Sequence, residues 1–519
     1  MADEEVGRRQ GEGDGGSPRQ FYIAEASPLP PAPQSVSADL VWESGGERIA
    51  YRATAGHIDV RSDGGTLMGR MFHLSYVAAG AGDALARPVT FCYNGGPGSA
   101  SVPINVGGIG PRRVATAGIS HLAQPAVMED NPATLLRASD LVFLDALGTG
   151  YSELAEDFDP TQAWGVEGDA DSFARAIEAW LTENGRWGSP VYLFGESYGT
   201  VRNAVLMRLL AERFIPVTGA VMMSSVFDWV TKMPGSDLSY LGLLPTYAAT
   251  ARYFGRAGRG SDEEAWFDDA MAFAERAYAP ALLAGDRLPA AERASMARRL
   301  SDLIGLPAEL IERCRLRVDL DTFRRSLLAD EGRVLGRFDT RFTSYAPLAL
   351  QGTEVPFAGS DASSDAVEPA WNAAFRRHLA EIGYRGAPRY PLSSFATIGV
   401  GWDRSHIVPG AGGMRADAPN VAYDLAEALR RNPTARVAVL GGRYDAATPF
   451  WNAVHDVSRL FLPDALRERV TFRLYSCGHM AYVDEPTLEL LGCDLAAFYG
   501  RAEAAGRPAS EEAFAHGVS

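Results

Sequence analysis

The chain has 519 residues, 46% of them hydrophobic and 22% charged, which allows a large core and excludes a wholly disordered chain. Lys and Arg number 49 against 65 Asp and Glu; the net charge of −16 repels phosphate backbones and argues against a nucleic-acid partner. No apolar run approaches the roughly 18 residues of a membrane helix. Among Cys92, Cys314, Cys477 and Cys493 no C-x-x-C pair occurs, which excludes a zinc ribbon and a thioredoxin motif, and four cysteines in so long a chain are not a disulfide scaffold.

In chain order, residues 1–20 are rich in Gly, Glu and Arg and lack the apolar segment of a secretory leader, so a disordered tail and a cytoplasmic location are expected. The stretch SPLPPAPQSVS reads as a proline-rich linker that closes a tail over 1–37. Between residues 41 and 93, ERIAYRATAGHIDV and TLMGRMFHLSYVA flank an Asp-Gly-Gly turn and predict hairpins, followed by the apolar strand PVTFCYN. Three further apolar runs, DLVFLDA, PVYLFGE and GAVMMSS, predict buried strands. Between the first two, Phe173, Ile177, Trp180 and Leu181 recur at helical spacing. Strands alternating with helices predict βαβ units and a mostly parallel, doubly wound sheet. From residue 227 the chain turns rich in Ala, Arg, Leu and Glu and predicts helices without buried strands. GSDASSDA at 359–366 reads as a polar loop. Strands return with ARVAVLGG and RVTFRLYS. The expected domains are a core over 38–226, a helical cap inserted over 227–392, the rest of the core over 393–500 and a tail over 501–519.

The chemistry centres on Gly195-Glu196-Ser197-Tyr198-Gly199, the one Gly-x-Ser-x-Gly in the chain. A strand precedes it and an amphipathic helix, TVRNAVLMRLLAERF, follows, which is the strand–turn–helix context that exposes a nucleophilic serine. A serine hydroxyl needs a base, and the base an orienting acid. On an α/β-hydrolase core these follow in the order Ser, Asp, His, each on a loop after a later strand. Asp445 in GGRYDAATPF and His479 in CGHM occupy such loops; His57 and His73 lie in the early strands and His455 in a predicted helix. The glycines of NGGPGS can turn backbone amides towards an oxyanion, although alone they suit a flexible turn equally well.

Taken together and in order, NGGPGS, DALGTGYS, GESYGT, GGRYDAATPF and CGHMAY resemble the serine carboxypeptidases, peptidase family S10. Tyr482 and TYAATARYF are most similar to the bacterial members. The resemblance implies an α/β-hydrolase core with an inserted helical cap, no cofactor or metal, and a peptide with a free C-terminus as substrate. It implies Ser197 as nucleophile, His479 as base and Asp445 as its partner. The amides of Gly96 and Tyr198 match the oxyanion hole, and Asn94, Glu196 and the Gly95 amide match the residues that hold the substrate's terminal carboxylate. A carboxylic acid at Glu196 can bind a carboxylate only if the two share a proton. Many eukaryotic relatives carry Trp where this chain has Cys92. Cys92 and Cys477 flank the expected site and read as buried small hydrophobes. An esterase or acyltransferase on the same triad, or a binding protein with a dead site, are the alternatives.

Overall fold

The computed structural model describes residues 35–500 except 81–83, 117, 121, 123–125, 234 and 346–360. The N-terminal tail, the linker up to its last three residues and the C-terminal stretch from 501 lie outside the described residues.

Nine strands form the path of a mixed sheet: β1 (Val36–Ser44), β2 (Glu47–Arg61), β3 (Leu67–Ala78), β4 (Val89–Tyr93), β5 (Asp140–Leu144), β6 (Val191–Glu196), β7 (Val217–Met223), β8 (Arg436–Gly442) and β9 (Val470–Tyr475). Their spatial order is β1-β2-β3-β5-β4-β6-β7-β8-β9, and the two-residue strand Glu153–Leu154 pairs with β3 off this path. From β5 to β9 every pairing is parallel, while β1, β2 and β3 pair antiparallel and β3 meets β5 antiparallel. The pattern follows from sequence. β4, β5 and β6 are buried at every residue, as continuous apolar runs covered on both faces require, whereas β2 mixes exposed and buried positions as a half-wetted hairpin does.

Helices α1 (Val166–Glu183) and α2 (Tyr198–Glu212) pack one face of the sheet through Phe173, Ile177, Trp180, Val201 and Val205. The other face is covered in part by the C-terminal helix Glu485–Phe498 through Leu488, Leu491 and Leu495. Between β7 and β8 lies the predicted helical region, in which α3 (Asp237–Tyr253) and Ala290–Ile304 share an apolar cluster of their own, while α4 (Ala362–Ile382) packs into the core cluster through Val367, Trp371 and Phe375.

Three local differences from the sequence reading have physical reasons. β1 begins at Val36, inside the stretch read as linker, because nine residues pair in register with β2. The cap contains a small hairpin, Arg333–Leu335 with Thr343–Tyr345, too short for a periodicity to register. Of the predicted polar loop, residues 362–366 are the first turn of α4: the Asp361 side chain accepts the Ser363 amide at 3.1 Å, so a Ser/Asp-rich run serves as a helix N-cap.

Candidate active site

The strand order places the site. Asn94 follows β4, Ser197 follows β6, Asp445 follows β8 and His479 follows β9, so all four project beyond the C-terminal edge of parallel strands. Register brings Tyr93 opposite Gly195, which sets Asn94 beside Glu196.

Ser197 occupies φ 60°, ψ −126°, a conformation that costs a non-glycine residue on the order of 1–3 kcal/mol and is held by its surroundings. It is the one residue of 191–200 that is not buried, and its hydroxyl makes no cap bond to α2. The turn is tight enough to require Gly195, since a Cβ there would lie 2.2 Å from the Gly199 carbonyl oxygen.

His479 Nδ1 lies 2.8 Å from Asp445 Oδ2, with both groups buried. Thr448 Oγ1 donates to the same Asp445 oxygen at 2.6 Å, and the amides of Ala447 and Thr448 donate to Oδ1 at 2.8 and 2.9 Å. Burial pushes the Asp445 carboxyl up, but the imidazole and these donors outweigh it and leave the group below the usual carboxylate range. Asp445 is thus an anion that fixes the His479 tautomer. The His479 amide donates to the Phe338 carbonyl at 2.6 Å, and the Phe338 ring lies 5.0 Å from the imidazole. Among the described residues no hydrogen bond joins Ser197 Oγ to His479.

On the other side of Ser197, Asn94 Nδ2 donates to Glu196 Oε1 at 2.8 Å, and Asn94 Oδ1 accepts the Ile104 amide at 3.0 Å. Glu196 Oε2 and the Tyr482 hydroxyl are buried and make no hydrogen bond of good geometry, yet they lie close enough for the hydroxyl to act on the carboxylate. Burial is the main cause that raises the Glu196 carboxyl to about 7, against His479, Tyr482 and Asn94, which lower it. Gly95 packs on the elbow so closely that a Cβ would lie 2.3 Å from the Tyr198 amide nitrogen, so this glycine is what lets the loop of Gly96 reach the start of α2. The Tyr198 amide heads α2, where backbone N–H groups lack intrahelical partners.

Several supporting residues escaped sequence reasoning. Arg202 donates to the Asn94 carbonyl at 3.0 Å while held by buried Asp169 at 2.7 Å. Asp145, raised to about 6 by burial, accepts the Ser101 amide at 2.8 Å and the Tyr390 hydroxyl at 2.7 Å and so braces the exit of the glycine loop. Thr448 and Asp145 stood within quoted motifs, and Arg202 lay in the helix after the elbow. Phe338 had no signal, because only the folded cap brings it to His479. Cys92 and Cys477 are buried free thiols that burial pushes up, in keeping with packing roles. Among the described residues no cluster of His, Cys, Asp and Glu could hold a metal, and no helix is long and apolar enough to cross a membrane.

Residues 45–213 match the model of the serine carboxypeptidases, which bears out the resemblance carried by NGGPGS, DALGTGYS and GESYGT; the Asp445 and His479 loops lie beyond the match. No curated protein matches the chain. Among solved structures it is similar to Kex1(delta)p, a prohormone-processing carboxypeptidase from Saccharomyces cerevisiae, with TM-score 0.54 and 14% identity over 87% of this chain and 91% of that one. At that identity the likeness shows the fold, which is an α/β-hydrolase fold. A proline iminopeptidase from Mycobacterium smegmatis superposes more loosely, with TM-score 0.35 and 13% identity over 90% of this chain and 98% of that one.

Proposed function

We propose that the chain is a serine carboxypeptidase that hydrolyses the last peptide bond of a substrate through an acyl-enzyme on Ser197. The observation that carries this reading is the buried pair Asn94–Glu196, hydrogen-bonded at 2.8 Å beside Ser197 and with the second carboxyl oxygen in no well-formed hydrogen bond. Acyl transfer on a Ser-Asp-His triad needs neither residue. A terminal carboxylate needs both a neutral amide donor and a carboxyl that still carries its proton, and a Glu196 raised to about 7 carries it in mildly acidic solution.

In this mechanism Ser197 Oγ attacks the scissile carbonyl while His479 takes the hydroxyl proton on the ring nitrogen that does not face Asp445. Asp445 stabilises the imidazolium. The amides of Gly96 and Tyr198 receive the oxyanion, a contribution of about 3–4 kcal/mol per donor where measured in serine hydrolases. His479 then protonates the leaving amine, the free amino acid departs, and water reverses the sequence to release the shortened peptide. Closure of the Ser197–His479 hydrogen bond falls to the substrate-bound state, as is common where substrate-free catalytic bonds are long.

The test compares N-blocked dipeptides that have a free C-terminus with their C-terminal amides and esters at about pH 5.5. Hydrolysis of the free acids with little turnover of the amides is expected. Turnover of the esters with no hydrolysis of any free-acid peptide would replace this reading by an esterase.

A further inference from the structure

The chain contains a single lysine, Lys232; the other 48 of its 49 basic side chains are arginine. That lysine lies in the turn Trp229–Lys232 just after β7, and its ammonium donates to the Ala447 carbonyl, two residues beyond Asp445. It makes no ion pair among the described residues, although two carboxylates are near. Both are committed elsewhere. Asp445 serves His479, Thr448 and two amides, and Asp456 lies 3.1 Å from both His455 Nδ1 and the Asp228 amide nitrogen.

A second cation lies in a cap loop that meets the same loop. The Arg337 carbonyl accepts the Ala446 amide at 3.1 Å, and its guanidinium lies 4.6 Å over the half-buried Phe338 ring that in turn packs on His479. The Arg337 side chain has no hydrogen bond or ion pair among the described residues, and its Nε is buried. Two cations with unused donors thus meet the Asp445 loop, Lys232 through its ammonium and Arg337 through its backbone carbonyl, and the ring under Arg337 packs on His479.

Strand order says which part of a substrate meets them. The carboxylate clamp lies after β4, on one side of the nucleophile after β6; Lys232 and the Asp445 loop follow β7 and β8, on the other side. With the leaving residue at Asn94 and Glu196 and the scissile carbonyl at Ser197, the acyl residue extends towards β7 and β8. We infer that Lys232 and Arg337 form a cationic subsite for an acidic side chain on the acyl residue, so that the enzyme prefers peptides whose penultimate residue is Glu or Asp. The inference rests on the carboxypeptidase reading. An ionised hydrogen bond to a partly desolvated cation is the interaction that separates Glu from its isostere Gln.

The experiment uses N-blocked dipeptides with Glu, Gln or Lys before one common C-terminal residue. The purified full chain is expected to show kcat/KM roughly 10- to 100-fold higher for Glu than for Gln, with Lys below Gln. Lys232→Met and Arg337→Met each draw the Glu/Gln ratio towards one, and Lys232→Arg, which keeps the charge, restores most of it. Because a Met variant can misfold, the ratio is also followed for the unaltered protein as NaCl is raised, where screening lowers it. Equal turnover of Glu and Gln peptides, or a ratio that ignores both salt and substitution, overturns the subsite and leaves the peptidase reading intact. Failure to cleave any free-acid peptide overturns the peptidase reading and the subsite with it.

Discussion

Glu196 sits in a conflict that its surroundings resolve. Burial favours the neutral acid, His479 favours the anion, and the balance falls at about 7. Below that value the protonated carboxyl can donate to a substrate carboxylate; above it two anions would face each other. Hydrolysis of free-acid peptides is therefore expected to decline as pH rises through about 7, while blocked esters, which bring no carboxylate to Glu196, show no such decline. Glu196→Gln, which donates and cannot ionise, should flatten the decline, and an unchanged profile in that variant would remove Glu196 from the clamp. Asn94→Ala should cost roughly 1.5–3 kcal/mol in kcat/KM on free-acid peptides, the range for a hydrogen bond to a charged group, and much less on blocked esters. At Ser197 the expectation is covalent: an organophosphonate labels it, and Ser197→Ala loses ~10⁴-fold or more in kcat. Normal turnover by that variant would dismiss the triad. These residues were legible because each lies within two residues of a glycine in a short motif, where backbone geometry constrains the sequence. Phe338, Lys232 and Arg337 were not, since their relation to His479 depends on how the cap returns to the core and no local pattern encodes it.

At the scale of elements, the strands of the parallel sheet were legible because burial on both faces leaves a continuous apolar run, and α1 because its one buried face leaves a 3.6-residue period. The segment from 383 to 421 was harder, since it forms only short, aperiodic elements that polar contacts help to hold. One histidine does much of this. His406 lies in the two-residue strand His406–Ile407, with Nδ1 2.7 Å from Glu167 on α1 and Nε2 2.7 Å from Asp424 on the helix Ala422–Arg431, and Arg208 of α2 completes the cluster at 2.7 Å from Asp424. Burial lowers its basicity, but the two carboxylates more than offset this and raise it to about 9. A folded value above the unfolded 6.5 means that the imidazolium stabilises the fold fully below about pH 6.5, and that this share is lost as pH rises towards 9. The amount is at most about 3 kcal/mol, at 1.36 kcal/mol per pH unit. Lys232, lowered by burial to about 8, works in the opposite sense over part of this range, so the comparison must be between proteins. His406→Gln should melt lower than the unaltered chain at pH 6 and converge with it by about pH 9.5. Parallel melting curves across that range would deny His406 this role.

For the molecule as a whole, the central question is how a cap with its own apolar cluster stays registered on a core that carries Ser197, Asp445 and His479. Backbone bonds do part of it: Phe338 to His479, Arg337 to Ala446 and Thr340 to Tyr444 join one cap loop to the loops after β8 and β9. The apolar tie is Trp451, on the core helix Phe450–Ser458, which is buried within the cap cluster alongside Leu244, Tyr247 and Leu282 and donates to Glu275 Oε1 at 3.0 Å. The helix it helps to seat, α3, also reaches the site, since Thr246 donates to the Asp445 carbonyl at 3.3 Å. Position 451 followed the Thr-Pro of a quoted motif, yet its partners lie some 200 residues earlier in the chain, which is why its importance is a property of the fold and not of the motif. Trp451→Ala removes a large buried ring and should cost about 3–5 kcal/mol, charged mainly to the junction. Calorimetry should then show the cap melting ahead of the core, with early proteolytic nicks between residues 237 and 345. Trp451→Phe, which keeps most of the apolar contact and loses the bond to Glu275, should retain a single transition at a modestly lower temperature. Because α3 and the Phe338 loop touch the loops of Asp445 and His479, kcat should fall in the alanine variant at temperatures where the core alone is still folded. If Trp451→Ala instead melted in one transition with unaltered protease resistance, the cap would be registered by the loop hydrogen bonds, and Thr340 and Arg337 would become the positions at which to break it.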